Sequence, residues 1–350
     1  VRRTTRLTVA PAQAGAYGEA YGRRDNLPPP NRHSRGHRFR YRVRMDSPTV
    51  SIILPTYDRT DYLREAVASA IGQTFDDWEM IVADDGSSED TRAYLRSLDD
   101  PRITVLWLPH TGVPSIGRNA AIHQARGRYL AFLDSDDRWR PTKLARQLDA
   151  LRASPDCRWS YTAADVIQPD GRPFPRGDLA PWVAHAGDVT ERLLTIEAAI
   201  AIDTVMADRR LVLDVGGFDE GQRFGEDYDL YVRLALRSPV VAIDEPLAVV
   251  RAGDGANYSA NRTLAYEGWV RLYARYADTL PTPRQRAVAR RRRAESLLVL
   301  ARLHTGAGQP RLALRTLWHG MPGAMFAFFP WSWRAGKEVV RAGRAALARR

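Results

Sequence analysis

The feature that most constrains this chain is a rhythm between Val50 and Leu151, where short apolar runs alternate with amphipathic stretches. Val50-Ser51-Ile52-Ile53-Leu54 reads as a buried strand ended by Pro55. Thr60 is placed to cap a helix carrying Leu63, Ala66, Val67, Ala70 and Ile71 at helical spacing. Met80 to Ala83 reads as a second strand, closed by Asp84-Asp85-Gly86-Ser87, and a helix with Tyr94, Leu95 and Leu98 on one face follows. Ile103 to Leu108 makes a third strand. Gly112 then opens a loop into a helix with Ala120, Ala121, Ile122 and Ala125. Tyr129 to Leu133 is a fourth strand, and Pro141 begins a helix bearing Leu144, Leu148 and Leu151. Strands and helices alternating at this spacing predict an α/β fold, a Rossmann-like and mostly parallel sheet flanked by helices. Such sheets bind ligands at the carboxyl ends of their strands.

The rhythm loosens beyond Leu151. Arg158 to Ala163 and Val240 to Ile243 read as further strands, with a Pro- and Gly-rich loop from Asp165 to Asp188 between them. From Arg262 the pattern is helical. Tyr266, Trp269, Val270, Leu272 and Tyr273 come first, then Leu297 to Leu303 and Leu312 to Leu317, split by Gly306-Ala307-Gly308-Gln309-Pro310. The predicted division is a basic tail over 1–47, a folded body over 48–261 and a small helical C-terminal extension over 262–350.

Charge follows that division. Residues 1–44 carry 11 arginines against Glu19 and Asp25, a net +9, and residues 284–350 carry 15 Lys and Arg against Glu295 and Glu338, a net +13. The overall +11 therefore conceals a body with a net charge of −11. A nucleic-acid-binding module would hold its basic surface on the folded body, so the distribution argues against that class. The first 44 residues, with Pro28-Pro29-Pro30 and no apolar periodicity, are predicted to be disordered. Val1 at the start and Met45 just before the first strand suggest a start site placed too far upstream; the other reading is a basic arm. A single cysteine, Cys157, excludes an internal disulfide framework and any multi-cysteine metal site. No apolar run reaches the ~18 residues of a membrane-spanning helix. The expected location is cytoplasmic, with contact at the inner face of the membrane through Met321 to Trp333 and the basic residues after it. The competing reading packs those aromatics onto the body.

The chemistry-bearing residues lie where strands end. Leu133-Asp134-Ser135-Asp136-Asp137 follows an apolar strand, and residues two apart in extended backbone share a face. Asp134 and Asp136 can therefore converge on a hard divalent cation, Mn²⁺ or Mg²⁺, which binds through few carboxylates plus substrate phosphates. The plainer reading is an Asp-rich turn capping the next helix. Asp84-Asp85 places a second acidic pair on the same rim, where repulsion favours a cationic partner. Gly225-Glu226-Asp227-Tyr228-Asp229 is a third acidic group. It serves either as a general base or as acids favoured by a helix N-terminus.

Pro55-Thr56-Tyr57-Asp58-Arg59, Ala83-Asp84-Asp85-Gly86-Ser87, Gly112 with Gly117-Arg118-Asn119, Leu133-Asp134-Ser135-Asp136-Asp137, Gly216-Gly217-Phe218-Asp219 and Gly225-Glu226-Asp227 stand in register across Thr49 to Arg233. Together they resemble the family 2 glycosyltransferases. The resemblance implies a glycosyltransferase A fold and an inverting transfer from a nucleotide-sugar donor to an acceptor hydroxyl. The acceptor would be a saccharide or lipid-linked, in cell-envelope glycan synthesis. It implies that Pro55, Thr56, Tyr57, Asp84 and Asp85 hold the nucleotide, with Asp85 on the base edge and Arg118 near the nucleotide or its phosphates. By motif position Asp134 and Asp136 are the metal motif, Asp136 in direct contact and Asp134 also donor-binding. Asp227 is the catalytic base and Glu226 its acidic neighbour. The body over 48–261 would then be the catalytic domain, with acceptor recognition in the loop from Asp165 to Asp188 and around Asp203. Asp58 departs from the asparagine usual there, and the absence of a Gln-x-x-Arg-Trp motif implies non-processive transfer. The alternatives are a sugar nucleotidyltransferase, which would need a glycine-rich phosphate loop after the first strand, and a non-catalytic nucleotide-sugar-binding relative.

Overall fold

The structure, a computed structural model, describes residues 47–175, 182–252 and 261–324. The tail over 1–44, part of the loop from Asp165 to Asp188 and the stretch after Ala324 lie outside the described residues. So do most of the aromatic and basic residues expected at a membrane surface. No helix among the described residues is long and apolar enough to cross a membrane.

The first half alternates as expected: β1 (Val50–Thr56), α1 (Thr60–Ile71), β2 (Trp78–Asp84), α2 (Glu89–Arg96), β3 (Ile103–Trp107), α3 (Pro114–Gln124) and β4 (Tyr129–Phe132). Next come β5 (Arg138–Trp139), α4 (Lys143–Ala153), β6 (Trp159–Ile167), α5 (Thr190–Thr195), β7 (Met206–Asp208) and α6 (Arg209–Asp214). The chain then forms α7 (Glu226–Ala235), β8 (Val240–Arg251), α8 (Arg262–Thr279), α9 (Pro283–Gly306) and α10 (Pro310–Ala324). The eight strands form one sheet in the order β3-β2-β1-β4-β7-β6-β8-β5. Strands β3, β2, β1 and β4 run parallel, β7 is antiparallel to both β4 and β6, β8 is parallel to β6, and β5 is antiparallel to β8. The sheet is thus mixed: its parallel half comes from the alternating segment, and the reversal at β7 falls where the sequence rhythm loosens.

The strand pleat divides the core. Val50, Ile52 and Leu54 face one buried cluster with Leu63, Val67 and Leu144, while Ile53 faces the other with Ile122, Leu130 and Phe132. Both faces of β1 are covered, which explains its nearly unbroken apolar run. Trp159 and Tyr161 are fully buried, as the sequence suggests. Leu272, Tyr273 and Tyr276 of α8 lie in the same cluster as Phe132 and Leu230, so this helix shares the core of the body.

Two helix starts differ from expectation. Arg59, not Thr60, occupies the cap position of α1, and the Thr60 hydroxyl instead meets that of Thr91 at 2.7 Å. Helix α4 begins at Lys143 after Thr142, and the Pro141 carbonyl accepts the Thr74 amide at 2.8 Å.

Candidate active site

The carboxyl ends of β1, β2 and β4 form one rim. At the end of β1, Thr56 is buried and its Oγ1 finds no hydrogen-bond partner among the described residues. Tyr57 stands exposed and stacks on the His110 ring with centroids 4.2 Å apart. Asp58 has a left-handed backbone, φ 46°, which aspartate and asparagine tolerate better than most residues. Its carboxylate accepts the Ser88 amide at 2.6 Å, and hydrogen bonds from the Ser88 side chain and then its amide hold its pKa below the usual value. An aspartate therefore does the local work available to the asparagine expected there.

The two acids closing β2 separate. Asp84 has no exposed surface, and its oxygens accept from the Ser87 amide at 3.2 Å and Arg92 Nε at 3.4 Å. It shapes the turn that follows β2. The Asp85 carboxylate accepts the Thr111 amide and hydroxyl, each at 2.9 Å, and the Gly112 amide at 2.8 Å. Asp85 thereby fixes the loop that carries His110, whose Nδ1 lies 2.9 Å from the Asp85 carbonyl. A side chain at Gly86, φ 77°, would place its Cβ 2.7 Å from the His110 amide nitrogen, so this approach requires glycine. The glycine after Asp84-Asp85 is the sequence signal of this close approach.

Arg118 sits at the centre of the rim. Helix α3 starts at Pro114 and packs Gly117 against β1 and β2, with room for a Cβ only 3.5 Å from that of Ala83. The neighbouring Arg118 is buried, and its guanidinium donates to Asp134 Oδ1 at 2.7 Å and to Glu226 Oε1 at 3.1 Å. Burial works against its charge, but the carboxylates of Asp134, Glu226 and Asp227 outweigh it and raise its proton affinity. One arginine thus ties the end of β4 to the start of α7.

Beyond Asp134, Asp136 Oδ2 accepts from Arg59 at 3.0 Å. Asp203 lies in a 3₁₀ turn, Ile202–Thr204, and is buried beneath this loop. Its Oδ1 accepts the Asp134 amide at 2.6 Å and its carbonyl accepts Trp139 Nε1 at 2.9 Å. Burial, then the Asp134 charge, pushes the Asp203 carboxyl up to about 7, and its hydrogen-bonded partner Asp137 is raised by burial and by Asp203. Nearby, burial pushes the Lys143 amine down to about 7.

Glu226 and Asp227 open α7 behind Gly225, φ 72°. Asp227 Oδ1 accepts the Tyr228 amide at 2.8 Å. A helix N-terminus favours an ionised acid, yet burial, then the Glu226 charge, pushes the Asp227 carboxyl up to about 7. Asp134, Arg118, Glu226 and Asp227 thus form one connected group, with Asp136 two residues from Asp134. Among the described residues, no group of three His, Cys, Asp or Glu could hold a metal ion. Asp134 and Asp136 each meet an arginine, Arg118 and Arg59, so a cation there would need phosphate oxygens to complete its one or two carboxylates.

Comparison with known proteins matches the same body. The sequence model of the family described as Glycosyl transferase family 2 covers residues 51–214. A relative described as a putative teichuronic acid biosynthesis glycosyltransferase, TuaG of Bacillus subtilis, is 37% identical over 46% of this chain and 63% of its own length. The UDP-Glc:alpha-D-GlcNAc-diphosphoundecaprenol beta-1,3-glucosyltransferase WfgD of Escherichia coli is 38% identical over 57% of this chain and 75% of its own length. The chain spans about a third of other relatives, such as an uncharacterized glycosyltransferase of Rickettsia felis, of which it covers 34%. Among solved structures, S. aureus TarS 1–349 with UDP-GlcNAc superposes with a TM-score of 0.64 at 18% identity, over 85% of this chain and 90% of that one. That likeness establishes the glycosyltransferase A fold. With the family's sequence model over residues 51–214 and the 38% identity to WfgD over 75% of its length, the chain belongs to glycosyl transferase family 2.

Proposed function

We propose that the chain is an inverting, non-processive transferase that moves a sugar from a nucleoside-diphosphate sugar to an acceptor hydroxyl. The observation that carries this reading is the Asp134–Arg118–Glu226 chain beside Asp227, a carboxyl pushed up to about 7 where the end of β4 meets the start of α7. A carboxylate tuned near neutrality can accept a proton at working pH and is a suitable general base. Asp227 would take the proton from the acceptor hydroxyl. As that oxygen bonds to the anomeric carbon, the bond to the donor's phosphate oxygen breaks and its electron pair leaves with the nucleoside diphosphate. Attack opposite the leaving group inverts the anomeric centre.

Asp134 and Asp136 would hold a divalent cation, Mn²⁺ or Mg²⁺. When bound, the cation neutralises charge on the diphosphate leaving group. Arg118 would keep Asp134 and Glu226 in fixed relation while the donor enters. Pro55, Thr56 and Tyr57 line the proposed nucleotide side, with Tyr57 backed by His110 to form a platform for a base. A uridine nucleotide is a reasonable first donor to test, since TarS is described in complex with UDP-GlcNAc. A lipid-linked diphosphate sugar is the corresponding first acceptor, because the relative WfgD is named for one.

The test is a panel of nucleotide sugars, each followed by release of nucleoside diphosphate with a saccharide or undecaprenyl-diphosphate-sugar acceptor. A donor at 100 times its dissociation constant should also add about 2.7 kcal/mol of stability. Acceptor-dependent turnover with at least one donor is the expected result. Binding without turnover across the panel would identify a non-catalytic relative, and nucleotide-sugar synthesis from a nucleoside triphosphate would identify a nucleotidyltransferase.

A further inference from the structure

We infer that helix α8, although it follows the family-matched region, is a working part of the active site: it positions the segment that carries Glu226 and Asp227. The inference rests on the reading of Asp227 as the base.

Helix α8 meets this segment on both sides of the two acids. On the near side, Gly268 lies so close to Phe224 that a Cβ there would stand 2.5 Å from the Phe224 carbonyl oxygen. Gln222 Nε2 bridges the two backbones, donating to the Phe224 and Gly268 carbonyls at 2.8 Å each. Trp269 packs edge-on against Phe224 and Tyr228, with centroids 5.9 and 5.3 Å apart. The ring also lies over Gly225, whose left-handed backbone starts α7. Arg275 spans the two acids, pairing with Asp219 before them and donating to Asp229 Oδ1 after them at 2.8 Å, where the Tyr276 hydroxyl also donates at 3.0 Å. Asp229 is buried and accepts Arg233 as well, which in turn holds the Val215 and Gly217 carbonyls at 2.7 and 2.6 Å.

None of these α8 contacts is made to the Asp227 carboxylate itself. They fix the backbone before and after it, so the helix residues are positioning residues. Gly268 is the sharpest probe. Ordinary van der Waals contact begins near 3.4 Å, so a methyl group at Gly268 must displace the Phe224 carbonyl by about 0.9 Å. A misplacement of ~1 Å at a catalytic group can cost ~10²-fold in rate.

The experiment compares the full chain with Gly268→Ala, Arg275→Gln and, as a control, Asp278→Ala at the exposed end of α8, where Asp278 pairs only with Arg290 among the described contacts. Hydrogen exchange reads the backbone, calorimetry reads donor affinity, and initial rates read kcat. In Gly268→Ala, peptides covering 219–229 should exchange faster while those of β1 and β4 do not. Donor affinity should stay within about twofold and kcat should fall about 10²-fold. Arg275→Gln should show the same exchange pattern, and Asp278→Ala should match the parent in all three measurements. Unchanged exchange over 219–229 in both folded variants would overturn the inference, as would a uniform rise across the sheet. If the parent chain transfers no sugar, the base assignment falls, and the exchange pattern still decides whether α8 holds this segment.

Discussion

Replacing Arg118 with methionine tests the electrostatic centre of the site. The side chain is buried, and it contributes two charge-assisted hydrogen bonds, to Asp134 at 2.7 Å and Glu226 at 3.1 Å. Such bonds contribute about 1.5–3 kcal/mol each. The two acids retain 29% and 18% side-chain exposure, so water recovers part of the loss. Methionine also fills much of the vacated volume. A net destabilisation of about 3 kcal/mol at pH 8 follows, at the lower end for breaking a buried pair. The pH dependence is the sharper consequence. Folded Asp227, at about 7, holds its proton more tightly than an unfolded aspartate does, near about 3.9. Its contribution is therefore present at low pH and lost as pH rises through about 7. Without the Arg118 guanidinium, Asp227 holds its proton to higher pH, and the ionised cluster repels itself more. The stability gap between parent and Arg118→Met should widen from pH 5.5 to pH 8. Urea unfolding followed by circular dichroism at the two pH values measures it directly. A gap that is constant, or narrower at pH 8, would refute the electrostatic account of Arg118.

Asp227→Asn should lower turnover by ~10²–10⁴-fold with donor affinity nearly unchanged by calorimetry, and Glu226→Gln should cost less; the reverse ranking would move the base to Glu226. Activity should disappear with a chelator and return with Mn²⁺ or Mg²⁺. Asp136→Ala should weaken binding of the nucleoside diphosphate far more than that of the bare nucleoside, and a metal-independent reaction would remove the cation from the mechanism. Gly127→Ala should cost about 1–3 kcal/mol in urea unfolding, because its Cβ would stand 2.6 Å from the Ser51 amide nitrogen. That site lies where β1 and β4 begin, at the opposite end of the sheet from the rim, so donor affinity should be unaffected.

Much of this molecule is legible in the residues alone. An α/β sheet follows from the alternation between Val50 and Leu151, because a strand covered on both faces must be apolar throughout, as Ile52 and Ile53 are on opposite faces of β1. The acidic strand ends and the order of the motifs point to the family without any contact being known. Those signals are local: each depends on residues near one another in the chain. What the sequence alone could not separate was Asp84 from Asp85, since adjacent acids look alike until burial turns one inward and leaves the other holding a loop. Nor could it place Asp203 under Asp134, 69 residues away. The reversal at β7 and the joining of Asp134 to Glu226 through Arg118 were equally hidden, as was the grip of α8 on the segment around Asp227. Each joins segments far apart in the chain, and hydrogen bonds over such separations carry no periodic trace. Only the folded chain, by excluding water and bringing these groups within 3 Å or so of one another, decides which acid shapes a turn and which holds a loop.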